Sequence, residues 1–475
     1  MASAGEQAHA HSVKNFTWRA TVKNTLMAGA IAIALMGSPA GAAQAQEDLG
    51  EIRNMLRGLM QRVDKLEQEN TTLRSENENL KAQSDYLREE TKGLRKDTAV
   101  AAADIAKTRG SDWASRISLK GDLRYRYEYI ADDTFNNATA RVQTADRYRD
   151  RLRARFNMDA RATDNILVGL GFSTTEGGDP RSSNQTLTGV FNRKSLDLDL
   201  AFFDWKFASF GNLIAGKMKQ PFYKPAGSLY WDNDINPEGV ALTFSRGTWF
   251  GSAFGYQITE VNGLETLNTA DTMLFGGQIG TRIPIGSSTL TLAAMYYDLA
   301  AGERRVPAPF FNGISNGNST VNINTGTVAA PVLTPVLAND FRVVSLGGDF
   351  SYTMFGQPMS VWFDLAQNQD PEDFDEAFSG GVTVGRASNP GSWEFGVGFY
   401  AVEKDSIFGQ LFDSDFGSGV TDSEGMVIRA GFAPVRNWTL NLTYFMNDRN
   451  VDVVNGAGQK DVNYDRGQVD VNLKF

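Results

Sequence analysis

Two periods of apolar and polar residues divide the chain. Between residues 49 and 97 apolar residues return every seven positions, and from Trp113 to the C-terminus they alternate one by one. A strand sends successive side chains to opposite faces, whereas a heptad repeat lays one narrow stripe along a helix. The stretch DRYRDRLRARF, Asp146 to Phe156, shows the alternation at its sharpest. Arg147, Arg149, Arg151, Arg153 and Arg155 take every second place, with Tyr148, Asp150, Leu152, Ala154 and Phe156 between them. On a helix, at about 100° per residue, these arginines would scatter round the axis; on a strand they share one face. ISLKGDLRYRYEY sets Ile117, Leu119, Leu123, Tyr125, Tyr127 and Tyr129 against Ser118, Lys120, Asp122, Arg124, Arg126 and Glu128. The last segment, QVDVNLKF, sets Val469, Val471, Leu473 and Phe475 against Gln468, Asp470, Asn472 and Lys474.

About sixteen such segments follow residue 113, an even number of the kind outer-membrane barrels carry. Their connections alternate in length. Short ones fall at 162–165, 208–212, 247–250, 286–288, 355–358, 387–391 and 434–437. Long ones fall near 130–146, 173–192, 222–238, 259–270, 300–339, 368–376, 402–422 and 447–465. Short periplasmic turns and long outer loops predict an outer-membrane barrel over residues 111–475. No helical layer follows residue 110 to cover one broad sheet, so the apolar face is expected to meet lipid. Tyr125, Tyr127, Tyr129, Trp205, Phe207, Trp393, Phe395 and Trp438 fall near strand ends, where aromatic girdles sit; ordinary aromatic packing is the plainer alternative. Phe475, closing an alternating strand, has the form of a membrane-assembly signal. The expected fold is an all-β transmembrane barrel of about 16 antiparallel strands, preceded by an α-helical coiled coil.

In the heptad region Ile52, Leu59, Leu66, Leu73, Leu80, Leu87 and Leu94 occupy d positions. The a positions are Leu49, Leu56, Val63, Asn70, Asn77, Ser84 and Thr91, so this layer turns polar after Val63. Seven heptads without proline predict a parallel coiled coil about 70 Å long at ~1.5 Å per residue. Residues 46–110 comprise this coil and an Ala/Lys-rich linker from about residue 98.

The N-terminus changes the picture of location. Lys14, Arg19 and Lys23 precede the apolar run Thr25 to Gly37, and Ala43-Gln44-Ala45 offers a cleavage site. Residues 1–45 therefore read as a signal peptide. Its removal takes the formal charge from −10 to −12 and removes both histidines, His9 and His11. With no cysteine in the chain, histidine-dependent triads, thiolate sites and disulfides are excluded from the processed protein. The acidic balance argues against nucleic acid as a partner. No cofactor or metal is expected, and the chain does not read as an enzyme.

The segments GDLRYRYEY (121–129), DRYRDRLRARF, GDPRSSNQTLTGVF (178–191), FFDWKF (202–207), GKMKQPFY (216–223) and WDNDINPEG (231–239) resemble those of the bacterial outer-membrane family known as putative porins. The resemblance covers residues 113–475 and implies a diffusion channel. It also implies a homo-oligomer, commonly a trimer among porins, although Asn70 and Asn77 at a positions also suit a dimer. No catalytic motif comes with it.

Alternation alone supplies the candidate pore lining: Lys120, Asp122, Arg124, Arg126, Glu128, Arg147, Arg149, Arg151, Arg153, Arg155, Asp204, Lys217 and Lys219. Asp159, Arg282, Asp349, Asp364, Glu394, Arg429, Asp470 and Lys474 share the inward parity. An arginine facing lipid would cost roughly 2–4 kcal/mol at mid-membrane, so the ladder is expected to face water. Two readings of it stand side by side: weak anion selectivity, or arginines paired with carboxylates across the wall. The acidic excess falls in loops expected to be solvated, among them 413–424, whose Asp413, Asp415 and Glu424 match calcium-loop positions without the required glycine. Partners implied are further copies of the chain, outer-membrane lipid and the barrel-assembly machinery. The expected location is the bacterial outer membrane with the N-terminal segment in the periplasm. The alternative function is a barrel that tethers the membrane to the cell wall through its coil.

Overall fold

The computed structural model describes residues 42–109, 113–137, 139–262 and 269–475. The predicted signal sequence up to residue 41 lies outside the described residues. Two compact units divide at Gly110/Ser111. The first contains helix α1 (Ala42–Arg109), 68 residues without a break. The segment expected to be a linker is thus helical as far as Arg109: it lacks proline, and its alanines and lysines are good helix formers. Leu59, Leu66, Leu73, Leu80, Leu87 and Leu94 are exposed along this single helix, while the side chain of Ile52 lies outside the described residues. No described helix is long and apolar enough to cross a membrane.

The second unit is a closed antiparallel barrel of sixteen strands. They are β1 (Ile117–Asp132), β2 (Arg147–Thr163), β3 (Ile166–Thr174), β4 (Leu196–Ala208), β5 (Gly211–Lys217), β6 (Glu238–Arg246), β7 (Trp249–Thr259) and β8 (Thr272–Ile285). Then come β9 (Ser288–Ala300), β10 (Arg342–Met354), β11 (Gln357–Asn368), β12 (Glu376–Gly385), β13 (Ser392–Val402), β14 (Ser423–Val435), β15 (Trp438–Arg449) and β16 (Val462–Lys474). Each pairs with its sequence neighbours, and β1 also pairs with β16, which removes both sheet edges. A two-residue piece, Gln185–Thr186, adds to the sheet beside Arg151 and Leu152. The turns at one end are mostly two residues long. At Phe355-Gly356 both φ values are positive, 53° and 73°, as the tightest hairpin turns require.

The two faces are inverted relative to a soluble sheet. On β1, Tyr125 and Tyr127 are 45% and 44% exposed, whereas Arg126 and Glu128 between them are 5% and 0% exposed. Phe203, Trp205 and Phe207 on β4 and Trp393, Phe395 and Phe399 on β13 are likewise exposed. An exposed apolar band round a barrel with charge inside is the outer-membrane arrangement. Asp150, on the outward parity, accepts a hydrogen bond from the Tyr125 hydroxyl at 2.7 Å. That bond offsets part of the cost of a carboxylate on this face.

β1 and the C-terminus meet at Gly121. Its N–H donates to the Phe475 carbonyl at 3.0 Å, and the Phe475 N–H donates to the Gly121 carbonyl at 3.1 Å. The Phe475 ring lies where a Gly121 side chain would stand, with Cε2 only 2.6 Å from an added Cβ. Replacing Gly121 by Val is expected to weaken closure. Its folded band on unheated gels should convert to the unfolded position at a lower temperature than the parent, and an unchanged conversion temperature would refute the role of this contact.

Candidate functional site: the charged wall and the loops against it

β16, β1 and β2 form one continuous wall. Their register sets Arg126 opposite both Asp470 and Arg151, Arg124 opposite Arg153, Glu128 opposite Arg149, and Asp122 opposite Arg155. Like charges directly opposite one another are destabilising, so the two Arg–Arg pairs need counter-charge. Part of it comes from the wall. Asp122 bridges Arg153 and Arg155 at 2.8 and 2.7 Å, and Asp470 binds Arg126 at 2.7 Å. Glu128, fully buried, pairs with Arg149 and Arg466.

The rest comes from loops that fold inward. Residues 218–237, between β5 and β6, bring Asp234 to 3.4 Å from Arg155. Residues 403–422, between β13 and β14, bring Asp415 to 3.0 Å from Arg126 and 2.8 Å from Arg466. The loop between β3 and β4 adds Glu176, 3.5 Å from Arg151, and Asn184, whose Oδ1 accepts from Arg124 at 2.6 Å. The acidic segment 413–424, expected to be solvated, belongs largely to loop 403–422, which is instead packed inside the barrel. Its Ile407, Phe408, Leu411, Phe412 and Phe416 are buried, and burial of that much apolar surface outweighs hydration of the aspartates beside it. No group of carboxylates fit to hold a metal occurs among the described residues.

The two inward loops also hold one another. Asp232 N–H donates to the Leu411 carbonyl at 2.7 Å, and Asp413 N–H donates to the Leu229 carbonyl at 3.0 Å. Arg181 donates to the Gly419 carbonyl at 2.8 Å and to Asn316 Oδ1 at 3.2 Å. Away from the charged wall the loops pack on an apolar lining that includes Phe254, Tyr297, Trp362 and Tyr400. Here loop 218–237 docks by close approach. The Trp362 indole lies over Gly381 and Gly398 of the wall, 2.7 and 2.9 Å from an added Cβ, and against Gly227 of the loop. The Tyr400 hydroxyl donates to the Gly227 carbonyl at 2.7 Å, and that of Tyr230 to the Asp364 carbonyl at 3.0 Å.

Polar space remains on either side of this loop layer. One recess of about 230 Å³ is lined by Ser173, Thr175, Asp179, Asp199, Lys217 and Asp234. A second, about 510 Å³, lies toward the short turns and is lined by Lys206, Asn212, Gln220, Thr243 and Arg282.

A family model described as "Putative porin" matches residues 131–475. The chain belongs to this porin family. Solved structures similar to it include Pseudomonas putida OprB, with 10% identity, 78% of this chain and 97% of that chain covered, and a TM-score of 0.49. The trimer form of OmpT, an outer-membrane protein of Vibrio cholerae, gives 10%, 76%, 99% and 0.42. Salmonella typhi OmpF in complex with daunomycin gives 10%, 76%, 97% and 0.43. No curated protein matches the chain.

In this porin Asp122, Arg124, Arg126, Glu128, Arg149, Arg151, Arg153 and Arg155 come together on one wall. Lys120 pairs with Asp159 at 3.0 Å, and Asp204 accepts from Asn212 at 2.7 Å. Lys217 pairs with Glu238 at 2.8 Å; Lys219 stands in the loop after β5, exposed; Arg147 is exposed at the start of β2. The alternation carries further than expected: Arg466 shares the parity of Gln468 and Asp470 two residues upstream. Asp234, Asp415 and Asn184 have no such signal, because their places depend on how loops fold back. Burial raises the carboxyl of Asp232 well above the usual range, and Asp413 and Asp234 add to it. Burial also raises that of Asp234, but Arg153, Arg124 and Arg155 outweigh it and hold the group low. Asp415 is held low in the same way, by Arg466 and Arg126.

Replacing Gly227 by Val is expected to push loop 218–237 off Trp362 while leaving the barrel closed. Tryptophan fluorescence should shift toward the red, and a spectrum identical to the parent's would count against the docking contact.

Proposed function

We propose that this outer-membrane porin is a passive diffusion channel for small hydrophilic solutes with a weak preference for anions. The observation that carries the reading is the wall itself. Seven guanidiniums, of Arg124, Arg126, Arg149, Arg151, Arg153, Arg155 and Arg466, stand against six carboxylates, of Asp122, Glu128, Glu176, Asp234, Asp415 and Asp470. A nearly balanced wall supports a weak bias rather than a specific binding site, and salt should screen it. Lys219, exposed in the loop after β5, adds to the positive side, whereas Lys120 is matched by Asp159. Solutes would pass by way of the two polar recesses beside the loop layer.

The N-terminal helix, placed in the periplasm, would hold a homo-oligomer, with a trimer favoured by analogy with porins generally. Sedimentation of the detergent-solubilised protein separates trimer from dimer. The length of α1, about 100 Å at ~1.5 Å per residue, also favours a second reading in which the barrel anchors a tether to the cell wall. Deleting residues 46–110 would then loosen the envelope while leaving conductance intact.

Planar-bilayer recording tests the channel. Changing Arg151, Arg153 and Arg155 together to Gln is expected to move the reversal potential toward cation selectivity, most at low salt. It should also raise conductance, because Asp234 loses its hold on the wall at Arg155. Unchanged selectivity at low salt would mean that the ladder is only structural counter-charge.

A further inference from the structure

The exposed stripe of α1 needs a cover. Leu59, Leu66, Leu73, Leu80, Leu87 and Leu94 are each more than half exposed, and Val63 is 50% exposed. A lone helix with a leucine every seventh residue and no packing partner has little to hold it. The residues flanking the stripe say what the cover is.

With the leucines at d, the g positions are Met55, Arg62, Glu69, Glu76, Gln83 and Glu90, and the e positions five residues further on are Met60, Glu67, Arg74, Lys81, Arg88 and Arg95. In a parallel, in-register coil each g residue meets the e residue five places later on its neighbour, and such pairs set partner and orientation. The pairs are then Met55–Met60, Arg62–Glu67, Glu69–Arg74, Glu76–Lys81, Gln83–Arg88 and Glu90–Arg95. Four are oppositely charged, one is apolar, one joins an amide to a guanidinium, and none is like-charged. Arg88, whose g neighbour is uncharged, instead has Asp85 of its own helix at 3.8 Å.

The other arrangements fail on the same residues. Antiparallel helices set e against e and g against g. That would set the mostly basic e positions, Arg74, Lys81, Arg88 and Arg95 with one acid, Glu67, against one another, and the mostly acidic g positions, Glu69, Glu76 and Glu90 with one base, Arg62, against one another. A parallel slip of one heptad sets Arg62 against Arg74 or Glu69 against Glu67. It also places Val63 against Asn70 and Asn77 against Ser84 in the core, where matched asparagines fix register.

We propose that α1 associates with further copies of itself in parallel and in register, with the e and g charges and the Asn70 and Asn77 layers setting that arrangement. The inference rests on the self-association proposed above, and not on the channel reading. Its consequence is that the Arg109 ends meet at one level, as barrels inserted side by side in a single membrane require.

The chain has no cysteine, which makes the test direct in the full-length protein in outer-membrane vesicles. Ser84→Cys and Thr91→Cys, both at a, should each form a disulfide-linked dimer on mild oxidation, because identical a positions face one another within disulfide reach. Ser75→Cys, at the outer f position, should not. Mixing Ser84→Cys with Thr91→Cys copies should give no cross-link between the two kinds. Failure of both a variants alone, equal cross-linking at Ser75, or preferential mixed cross-links would each overturn the register. Reversing Glu69, Glu76 and Glu90 to Lys should abolish cross-linking at Ser84→Cys. Adding Arg74→Glu, Lys81→Glu and Arg95→Glu should restore it, and no restoration would overturn the charge code. Conductance of the same variants is read separately: lost conductance with intact cross-links refutes the channel alone.

Discussion

A guanidinium cannot face hydrocarbon at low cost, so the strands that carry arginine at every second residue must turn that face inward. The interior of this barrel follows from that constraint. Once Arg124, Arg126, Arg151 and Arg153 share a wall, with two pairs set directly opposite, they repel one another unless carboxylates arrive. The wall's own Asp122, Glu128 and Asp470 are not enough. The barrel recruits Asp234 and Asp415 from loops, and their ion pairs bind those loops to the wall. The same charges that keep the wall out of lipid therefore decide which loops fold into the lumen.

The far side of the loop layer is held by a different force. Gly227, Gly381 and Gly398 leave room for the Trp362 indole, and the buried phenylalanines of loop 403–422 complete an apolar mass beneath it. Dispersion and burial fix this side at close range, whereas ion pairs and hydrogen bonds fix the side against the charged wall.

Most of the barrel was legible because its signals are local. Period-two patterning, tight turns and alternating connection lengths gave sixteen strands and the parity of each ladder residue. Arg466 needed only two more residues of the same pattern. What the sequence hid was long-range: Asp415 meets Arg126 across 289 residues, and Trp362 meets a glycine 135 residues earlier. No pattern of neighbours marks DSDFGSGVTDSE as interior, since its aspartates look solvated until the phenylalanines around it are seen to be buried. The helical state of residues 98–109 carries no heptad signal, as a helix can outlast its stripe.

The wall joins the two ends of the polypeptide. Arg126 and Glu128 belong to the first strand, whereas Asp470 and Arg466 belong to the last, 344 and 338 residues away. Without the final strand Arg126 would keep Asp415 and Glu128 would keep Arg149, but each would lose its partner across the seam. The line where the sheet closes is therefore fastened twice, by the backbone ladder and by an electrostatic clasp.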